Sequence, residues 1–548
     1  MARKKPRIDV LGEGLTALCG GALALNLLLV AGLLGVLAVH GLGYFWQRPL
    51  VQFDLADGRR VMGEIHDREP IPAAEGAGPS AEQVMRVRMK VGNRDVTGID
   101  FLWIDESEVT GSSFPEDAVV LERLEYGNFY GYMVELRRGD EVLAQGPGQV
   151  WYAFQTLHEE KMKGLREIET LEKDAIGDVN YRIERLRLDM RKLAGEDLSP
   201  EARAAREKEL READELAQAE YDALSRQLFA MRDEVFADTL VLETADGTRT
   251  EVAIGNVVRA IRANSLSVPQ RAGLYLSRVW EFLVDDPRES NTEGGIFPAI
   301  FGTVMMVFLM SFAVAPLGVL AALYLREYAR QGPLVRMVRI AVNNLAGVPS
   351  IVFGVFGLGF FVYLIGGSID QLFYPEALPT PTYGTGGILW ASLTLALLTV
   401  PVVIVATEEG LAAVPRIVRE GSLALGATKF ETTFRVVVPA AAPGILTGLI
   451  LAMARAAGEV APLMIVGMVK LAPALPLDGR FPFVHFERKF MHLGFHIYDV
   501  GFQSPNVEAT KPLVFATALL LILVVTTMNL VAIAVRNHLR SKYTGSAV

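Results

Sequence analysis

The fold is decided by residues 420–463, EGSLALGATKFETTFRVVVPAAAPGILTGLILAMARAAGEVAPL. Up to Pro443 this stretch is amphipathic, and beyond Gly444 it is apolar enough to enter a bilayer. Arg455 and Glu459 nevertheless lie inside the apolar half. A charge at mid-membrane costs at least about 2.5–3.5 kcal/mol on insertion scales, so such residues usually face a permeation path or a partner. The stretch therefore predicts a polar elbow joined to a functional membrane helix.

Long apolar runs predict a protein that crosses the membrane about six times. Of the 548 residues, 51% are hydrophobic, and a helix of about 20 apolar residues spans a bilayer. The runs fall at about 15–42, 297–325, 340–366, 387–406, 445–469 and 513–535. The first run exceeds the roughly 7–15 apolar residues of a cleaved signal peptide. We therefore expect an uncleaved anchor.

Basic residues orient the spans. Arginines follow the second span at 326, 330, 336 and 339, and basic residues follow the last span at 536, 540 and 542. Positive charge favours the cytoplasmic side of a membrane. With a cytoplasmic N-terminus, every arginine-rich loop falls inside. The pattern predicts a multi-pass membrane protein with both termini in the cytoplasm.

Residues 47–295 contain no spanning run and are expected outside, in the periplasm. Apolar and polar residues alternate in their flanks around Asp-Gly turns, which predicts β-strands. Heptad spacing over about 152–236 predicts an antiparallel coiled-coil hairpin, whose second arm starts at Ser199-Pro200. The expected fold is an α-helical polytopic membrane protein with an α+β periplasmic domain. Its parts are a tail and anchor (1–46), the periplasmic domain (47–295) and a transmembrane domain (296–548) with a cytoplasmic loop at about 408–443.

Several function classes are excluded. The net charge of −10 lies mainly in the outside segment and argues against a nucleic-acid partner. A single cysteine, Cys19, permits no internal disulfide, and the scattered histidines predict no metal site. No P-loop sequence occurs, and no catalytic residue or cofactor is indicated. If this chain moves a substrate, the energy comes from another chain.

The segment 408–443 suits a coupling role. Val414-Pro415 and Val438-Pro439 restrict the residue before each proline, so helices are expected to end there. Gly426 permits a turn between two short helices with apolar residues at 423, 425, 430 and 434. Such a pair either docks on a partner or lies flat on the inner leaflet, and the physics leaves both open. Glu408 and Glu409 are expected to pair with Arg416 or Arg419.

One motif in this segment resembles the coupling motif of ABC-importer permeases. In that family Glu-Ala-Ala, three residues, Gly, nine residues and Ile-x-Leu-Pro follow one another. Here Glu420-Gly421-Ser422, Gly426 and Val436-x-Val438-Pro439 keep that spacing. The resemblance implies the type I importer permease fold and a loop that inserts into a cytoplasmic ATPase. The coupling residues it implies are Glu420, Gly421, Ser422, Gly426, Phe430, Phe434 and Pro439.

Arg455 and Glu459 are four residues apart, so on a helix they would stack on one face. Either the pair locks two helices together, or Arg455 meets an anion in transit while Glu459 tunes its charge. Guanidinium suits a tetrahedral oxyanion because it offers paired donors. RAAGEVAPL (455–463) and NNLAGVPSIVFGVFG (343–357) resemble the phosphate-specific permeases of the Pst system, PstA type. Val460 stands where those permeases usually have Thr.

That resemblance implies a permease subunit of an ATP-driven phosphate importer, with Arg455, Glu459, Asn343 and Asn344 along the substrate path. For the two asparagines, capping a helix that begins near Pro349 is the simpler interpretation. The implied partners are a PstC-type permease, a PstB-type ATPase dimer, a PstS-type phosphate-binding protein, phosphate and the bilayer. Two rivals are a permease for molybdate or sulfate and a membrane-anchored phosphate-sensing scaffold. The resemblance does not cover 47–295.

Overall fold

A computed structural model describes residues 10–71, 85–195, 197–504 and 507–544. Within these ranges six helices are long and apolar enough to cross a membrane, which agrees with the number expected. We number them as spans 1 to 6 in chain order. They are Gly14–Gly43, Phe297–Tyr328, Ser350–Phe373, Ile388–Ala413, Lys429–Gly458 and Val507–Ser541.

Spans 2, 4 and 5 form the centre of the membrane half. Their facing side chains join one buried cluster that includes Met306, Leu395 and Ala452. Small residues permit the close packing: a Cβ on Gly318 would meet Val403 at 2.6 Å, and one on Gly448 would meet Ala406 at 2.5 Å. Close backbone approach at small residues is a main source of helix association in membranes.

The expected boundaries of two spans are wrong. Span 3 begins at Ser350 rather than near 340, because Pro333–Leu345 forms a separate helix and Pro349 starts the next one. Span 5 begins at Lys429 rather than near 445 and ends at Gly458 rather than near 469. Pro439 does not end a helix as expected. The chain passes through a π-helical turn at Thr433–Val437, and such wide turns accommodate a proline that would otherwise break the helix.

In the described part of residues 51–294, the β-rich block, the strands form two larger antiparallel sheets and a two-stranded ribbon. The first has the order β4-β3-β2-β1-β5, and the second has the order β10-β9-β7-β6-β11 with β8 beside β7. The strands are β1 Val51–Leu55, β2 Arg60–Pro70, β3 Met85–Lys90, β4 Phe101–Asp105, β5 Val109–Ser113, β6 Val119–Arg123, β7 Phe129–Arg138, β8 Glu141–Gln145, β9 Asp238–Glu243, β10 Arg249–Ala253 and β11 Val257–Ile261. A short ribbon, β12 Pro287–Arg288 and β13 Glu293–Gly294, precedes span 2.

Two long helical arms leave the second sheet and return to it. The first arm comprises Pro147–Thr170, a π-helical turn at Leu171–Ile176 and Gly177–Gly195, and the second is Pro200–Phe236. The second arm starts where expected, with the Ser199 hydroxyl accepting from the Ala202 amide. The arms run antiparallel, because Arg182 pairs with Glu220 and Arg232 with Glu172. Whether the arms supercoil as a coiled coil stays a prediction.

The hairpin (147–236) rests on loops at the ends of the spans. The Arg480 guanidinium lies 2.8 Å from the Asp178 carboxylate and 3.1 Å from the Lys173 carbonyl oxygen. It also fills the space beside Gly177, where a Cβ would lie 2.7 Å from it. Farther along the arm, Arg191 donates to the Glu376 carbonyl oxygen at 3.3 Å. The first arm therefore lies across the span 3–4 and span 5–6 loops.

Hydrogen bonds and an ion pair at Asp478 hold the loop that carries Arg480 in place. Burial alone would raise the pKa of Asp478, but hydrogen bonds from the Arg480 amide, the Arg488 guanidinium and the His485 ring lower it to about 2. The Arg488 contact measures 2.6 Å. This carboxylate fixes the position from which Arg480 reaches the hairpin.

The remaining helices connect these parts. The helix of span 1 extends over Val10–Gly43, and the helix of span 6 over Val507–Thr544. Span 1 touches span 6 closely, since a Cβ on Gly41 would meet the Ala516 amide nitrogen at 2.9 Å. The shorter helices are Arg94–Thr97, Val268–Val284, Pro333–Leu345, Arg416–Ala424, Ala461–Val466 and Leu493–Tyr498.

We expect Arg480→Ala to release the hairpin locally. Half-exposed ion pairs contribute about 0.2–1 kcal/mol, so amide hydrogen exchange should speed up several-fold at 171–178 while the unfolding temperature stays within about 2 °C. Arg211→Ala removes a pair inside the second arm and serves as the control. Unchanged amide hydrogen exchange at 171–178 in Arg480→Ala would contradict the role of Arg480 in holding the hairpin against the loop.

Candidate permease site

The elbow is built from two short helical segments joined at Gly426. Arg416–Ala424 ends at a turn where Gly426 has φ +89°, a left-handed conformation that glycine adopts without strain. The next segment starts at Thr428, whose hydroxyl accepts from the Glu431 amide while Glu431 accepts from the Thr428 amide. The Ser422 and Thr432 hydroxyls lie 2.9 Å apart and tie the segments together.

Apolar side chains on the elbow point away from the protein. Leu425 is 91% exposed and Phe430 is 62% exposed, and the Phe430 and Phe434 rings stack with centroids 4.5 Å apart. Glu420 and Gly421 are also exposed, whereas Ser422 is half-buried. Pro439 is half-buried near the start of the long helix. Exposed aliphatic and aromatic residues beside polar ones are typical of a protein contact surface.

Arg419 holds the base of the elbow in place, but its partners differ from those expected from the sequence. Its guanidinium donates to the carbonyl oxygens of Leu411 and Val414, each at 2.6 Å, and it lies 3.1 Å from Glu327. The expected pairs with Glu408 and Glu409 are therefore wrong. Glu408 pairs instead with Arg339, at 3.1 Å. The sequence did contain a signal for this contact. The last carbonyl oxygens of a helix need hydrogen-bond donors, and Arg419 follows only four residues after the Val414-Pro415 that ends span 4.

One helix connects the elbow to the intramembrane charges. Span 5 runs without interruption from Lys429 to Gly458, so Phe430 and Arg455 are about 38 Å apart along its axis at 1.5 Å per residue. One helix therefore connects the elbow to the charged pair.

Arg455 and Glu459 do not share a helix face as expected. Span 5 ends at Gly458, and Glu459 has extended backbone angles (φ −81°, ψ 130°). The Arg455 Nε atom lies 3.4 Å from a Glu459 carboxylate oxygen, and the side chains are 35% and 20% exposed. The contact is a single long one made by Nε. The pair thus sits at a break in a membrane helix.

Span 3 covers this break. After Glu459 the chain makes the short helix Ala461–Val466, and Pro462 packs on Gly354, where a Cβ would lie 2.7 Å from the Pro462 Cα atom. Val460 packs against Gly494, where a Cβ would meet its side chain at 2.7 Å. The Val460 side chain thus fills a packing position.

The two asparagines lie on the separate helix Pro333–Leu345, and their side chains are exposed. They do not cap the helix of span 3, whose first turn follows Pro349 without a side-chain cap. Asn343 lines a cavity of about 310 Å³ together with Arg339 and Glu408. Arg455 is not among the residues that line this cavity.

These features define a multi-pass membrane permease. The chain belongs to the family of binding-protein-dependent transport system inner membrane components, whose model matches residues 314–544. Proteins of this family are transport subunits, and their partners are a binding protein and a separate ATPase chain.

Similar proteins support the assignment. The chain is 35% identical to the phosphate transport system permease protein PstA 1 of Mycobacterium tuberculosis, over 44% of this chain and 71% of that protein. It is 34% identical to a probable phosphate transport system permease protein PstA of Methanocaldococcus jannaschii, over 40% and 67%. It is also 30% identical to the phosphate transport system permease protein PstC of Mesorhizobium japonicum, over 43% and 72%.

Gly354→Ala tests the contact between span 3 and the helix break. The added methyl group would overlap the Pro462 backbone, and overpacking costs roughly 1–3 kcal/mol. We expect a lower unfolding temperature of the purified complex and reduced transport.

Gly359→Ala is the matched control in the same span, since a Cβ there meets nothing within 4 Å. Equal behaviour of the two variants would show that the contact is unimportant.

Proposed function

We propose that this chain is a transmembrane permease subunit of an ATP-driven phosphate importer. The observation that carries the proposal is the identity of 35% to a phosphate transport permease over 71% of that protein's length. Residues 314–544, which the family model matches, include the elbow and the break of span 5.

In this proposal the elbow docks on a PstB-type ATPase dimer through Glu420, Gly421, Ser422, Gly426, Phe430, Phe434 and Pro439. Its support is the exposure of Leu425 and Phe430 and the fixed base at Arg419. Closure of the ATPases would displace the elbow, and the continuous helix of span 5 would carry that displacement to the break at Glu459. Apolar anchors of this kind usually supply most of the energy of a protein contact.

Arg455 is proposed to meet the phosphate as it crosses. An intramembrane arginine is costly unless it has a partner or faces water, and Glu459 reaches it through only one contact of 3.4 Å. A phosphate could take the remaining donors as a bidentate ligand. Glu459 would then hold the guanidinium between passages. Asn343 and Asn344 remain proposed path residues nearer the elbow end of the spans.

The proposed setting is a bacterial inner membrane with both termini in the cytoplasm and 47–295 in the periplasm. Arg326, Arg330 and Arg336 then lie inside, as does the elbow, since Arg419 pairs with Glu327. The proposed partners are a PstC-type permease and a PstS-type phosphate-binding protein. The proposed domains are 1–46, 47–295 and 296–548.

We expect Arg455→Ala to reduce phosphate uptake by at least about tenfold in vesicles that contain the whole complex. The loss of a charge-assisted hydrogen bond of about 1.5–3 kcal/mol is sufficient for this effect. ATPase copurification should be unchanged. Arg540→Ala, near the end of the span 6 helix, provides the control.

The same vesicles test the substrate. Excess sulfate and molybdate should leave uptake of labelled phosphate unchanged, whereas unlabelled phosphate should compete. Transport of sulfate or molybdate in preference to phosphate would overturn the proposal.

We expect Leu425→Ala combined with Phe430→Ala to lower ATPase copurification by at least about tenfold, since anchor residues contribute about 2 kcal/mol or more when truncated. Leu334→Ala is the control, because this residue is 70% exposed on the separate helix Pro333–Leu345. Full retention of the ATPase by the double variant would place the docking surface elsewhere.

A further inference from the structure

A second cavity lies where the β-rich block meets the membrane spans, away from Arg455. Its volume is about 570 Å³. Residues at the end of span 1 and the start of span 6 line one side, including His40, Tyr44, Lys511 and Phe515, and residues of the block line the rest.

This cavity lies beside the end of span 1, where a membrane interface is expected. Span 1 ends at Gly43, and Tyr44, Phe45 and Trp46 follow it, as in the aromatic belts at membrane interfaces. His40 stacks on Phe515 with ring centroids 5.1 Å apart. Val39, which also lines the cavity, is 72% exposed. The membrane-facing wall therefore carries a side chain that lipid can contact.

One wall of the cavity is a completed ionic network. Arg278 lies 3.0 Å from the Glu122 carboxylate and 2.7 Å from the Gln47 amide oxygen. Gln47 donates in turn to Glu64 at 2.9 Å. These groups satisfy one another and hold the wall in place.

Some opposite charges elsewhere in the cavity interact with one another only at a distance. Among the described residues, neither Lys90 nor Glu293 has an ion-pair partner within 4.0 Å. The Nε atom of Arg288 is buried without a hydrogen-bond acceptor, whereas the Arg88 guanidinium already donates to Glu508 at 2.7 Å. Burial raises the pKa of the Glu293 carboxyl to about 7, although nearby Lys90 acts to lower it. Buried charges without a close partner are costly, so within the described part of the chain the cavity offers donors at Lys90 and Arg288 and acceptors at Glu293 and Asp285.

We propose that this cavity binds the headgroup of a zwitterionic phospholipid, with Lys90 and Arg288 holding the phosphate and Glu293 holding the ammonium. An anionic headgroup would satisfy the cations but leave Glu293 repelled, and so would free phosphate. A phosphoethanolamine group carries both charges on one short chain. Its acyl chains would leave past Val39.

Lipid retention by the purified complex tests this assignment. The complex is exchanged into an equimolar mixture of phosphatidylethanolamine and phosphatidylglycerol, and native mass spectrometry counts the lipids that remain bound. We expect one phosphatidylethanolamine to be retained with a preference of about tenfold, which corresponds to about 1.4 kcal/mol. Equal retention of the two lipids by the unmodified complex would overturn the proposal.

Single substitutions test the roles of Glu293 and Lys90 one at a time. Glu293→Gln should abolish the preference but keep binding, whereas Lys90→Met should lose both lipids. Lys90→Arg should restore binding, which distinguishes a lost contact from a misfolded block. Lys192→Met, on the exposed hairpin, is the control and should change nothing. A preference that survives Glu293→Gln would contradict the role of this carboxylate.

A competition experiment with inorganic phosphate distinguishes a bound lipid from a bound free anion. Excess inorganic phosphate should not displace the bound phosphatidylethanolamine. Displacement that depends on Lys90 would assign the cavity to free phosphate and overturn the lipid proposal. Neither result depends on uptake, so the proposed transport function is tested separately.

Discussion

The membrane half depends on how the break after Gly458 is shielded. Where a helix stops inside hydrocarbon, its last carbonyls and the next amides have no water to bond, so irregular backbone survives only when protein covers it or a water-filled cavity adjoins it. Here Gly354 of span 3 lies against Pro462 so closely that no side chain fits between them. The charged pair lies beside this covered break, and one uninterrupted helix connects it to the elbow.

The number of spans and the start of the second hairpin arm were predictable because they rest on strong local signals. Six apolar runs need no tertiary context, and Ser199-Pro200 started the second arm of the hairpin as expected. The Gly426 turn was predictable for the same reason, since few residues adopt its conformation. These features are decided within a few residues of chain.

Other features depended on contacts that no local pattern encodes. Pro439 was expected to stop a helix, but the π-helical turn before it let the helix continue. Glu459 has helical spacing from Arg455, yet the backbone changes direction between them. The partner of Arg419 is 92 positions away, at Glu327. In each case packing between distant segments overrode the local preference, as it commonly does. The functional roles of Arg455 and the asparagines stay predictions.

The π-helical turn in the first arm has a geometric consequence for the hairpin. An α-helix rotates by about 100° per residue, so an added residue in a wide turn changes the direction in which every later side chain points. The turn at Leu171–Ile176 directly precedes Gly177 and Asp178, which meet Arg480. It therefore sets the rotational phase of the outer part of the arm. An arm of equal length without that turn would present a different face to the loops beneath it.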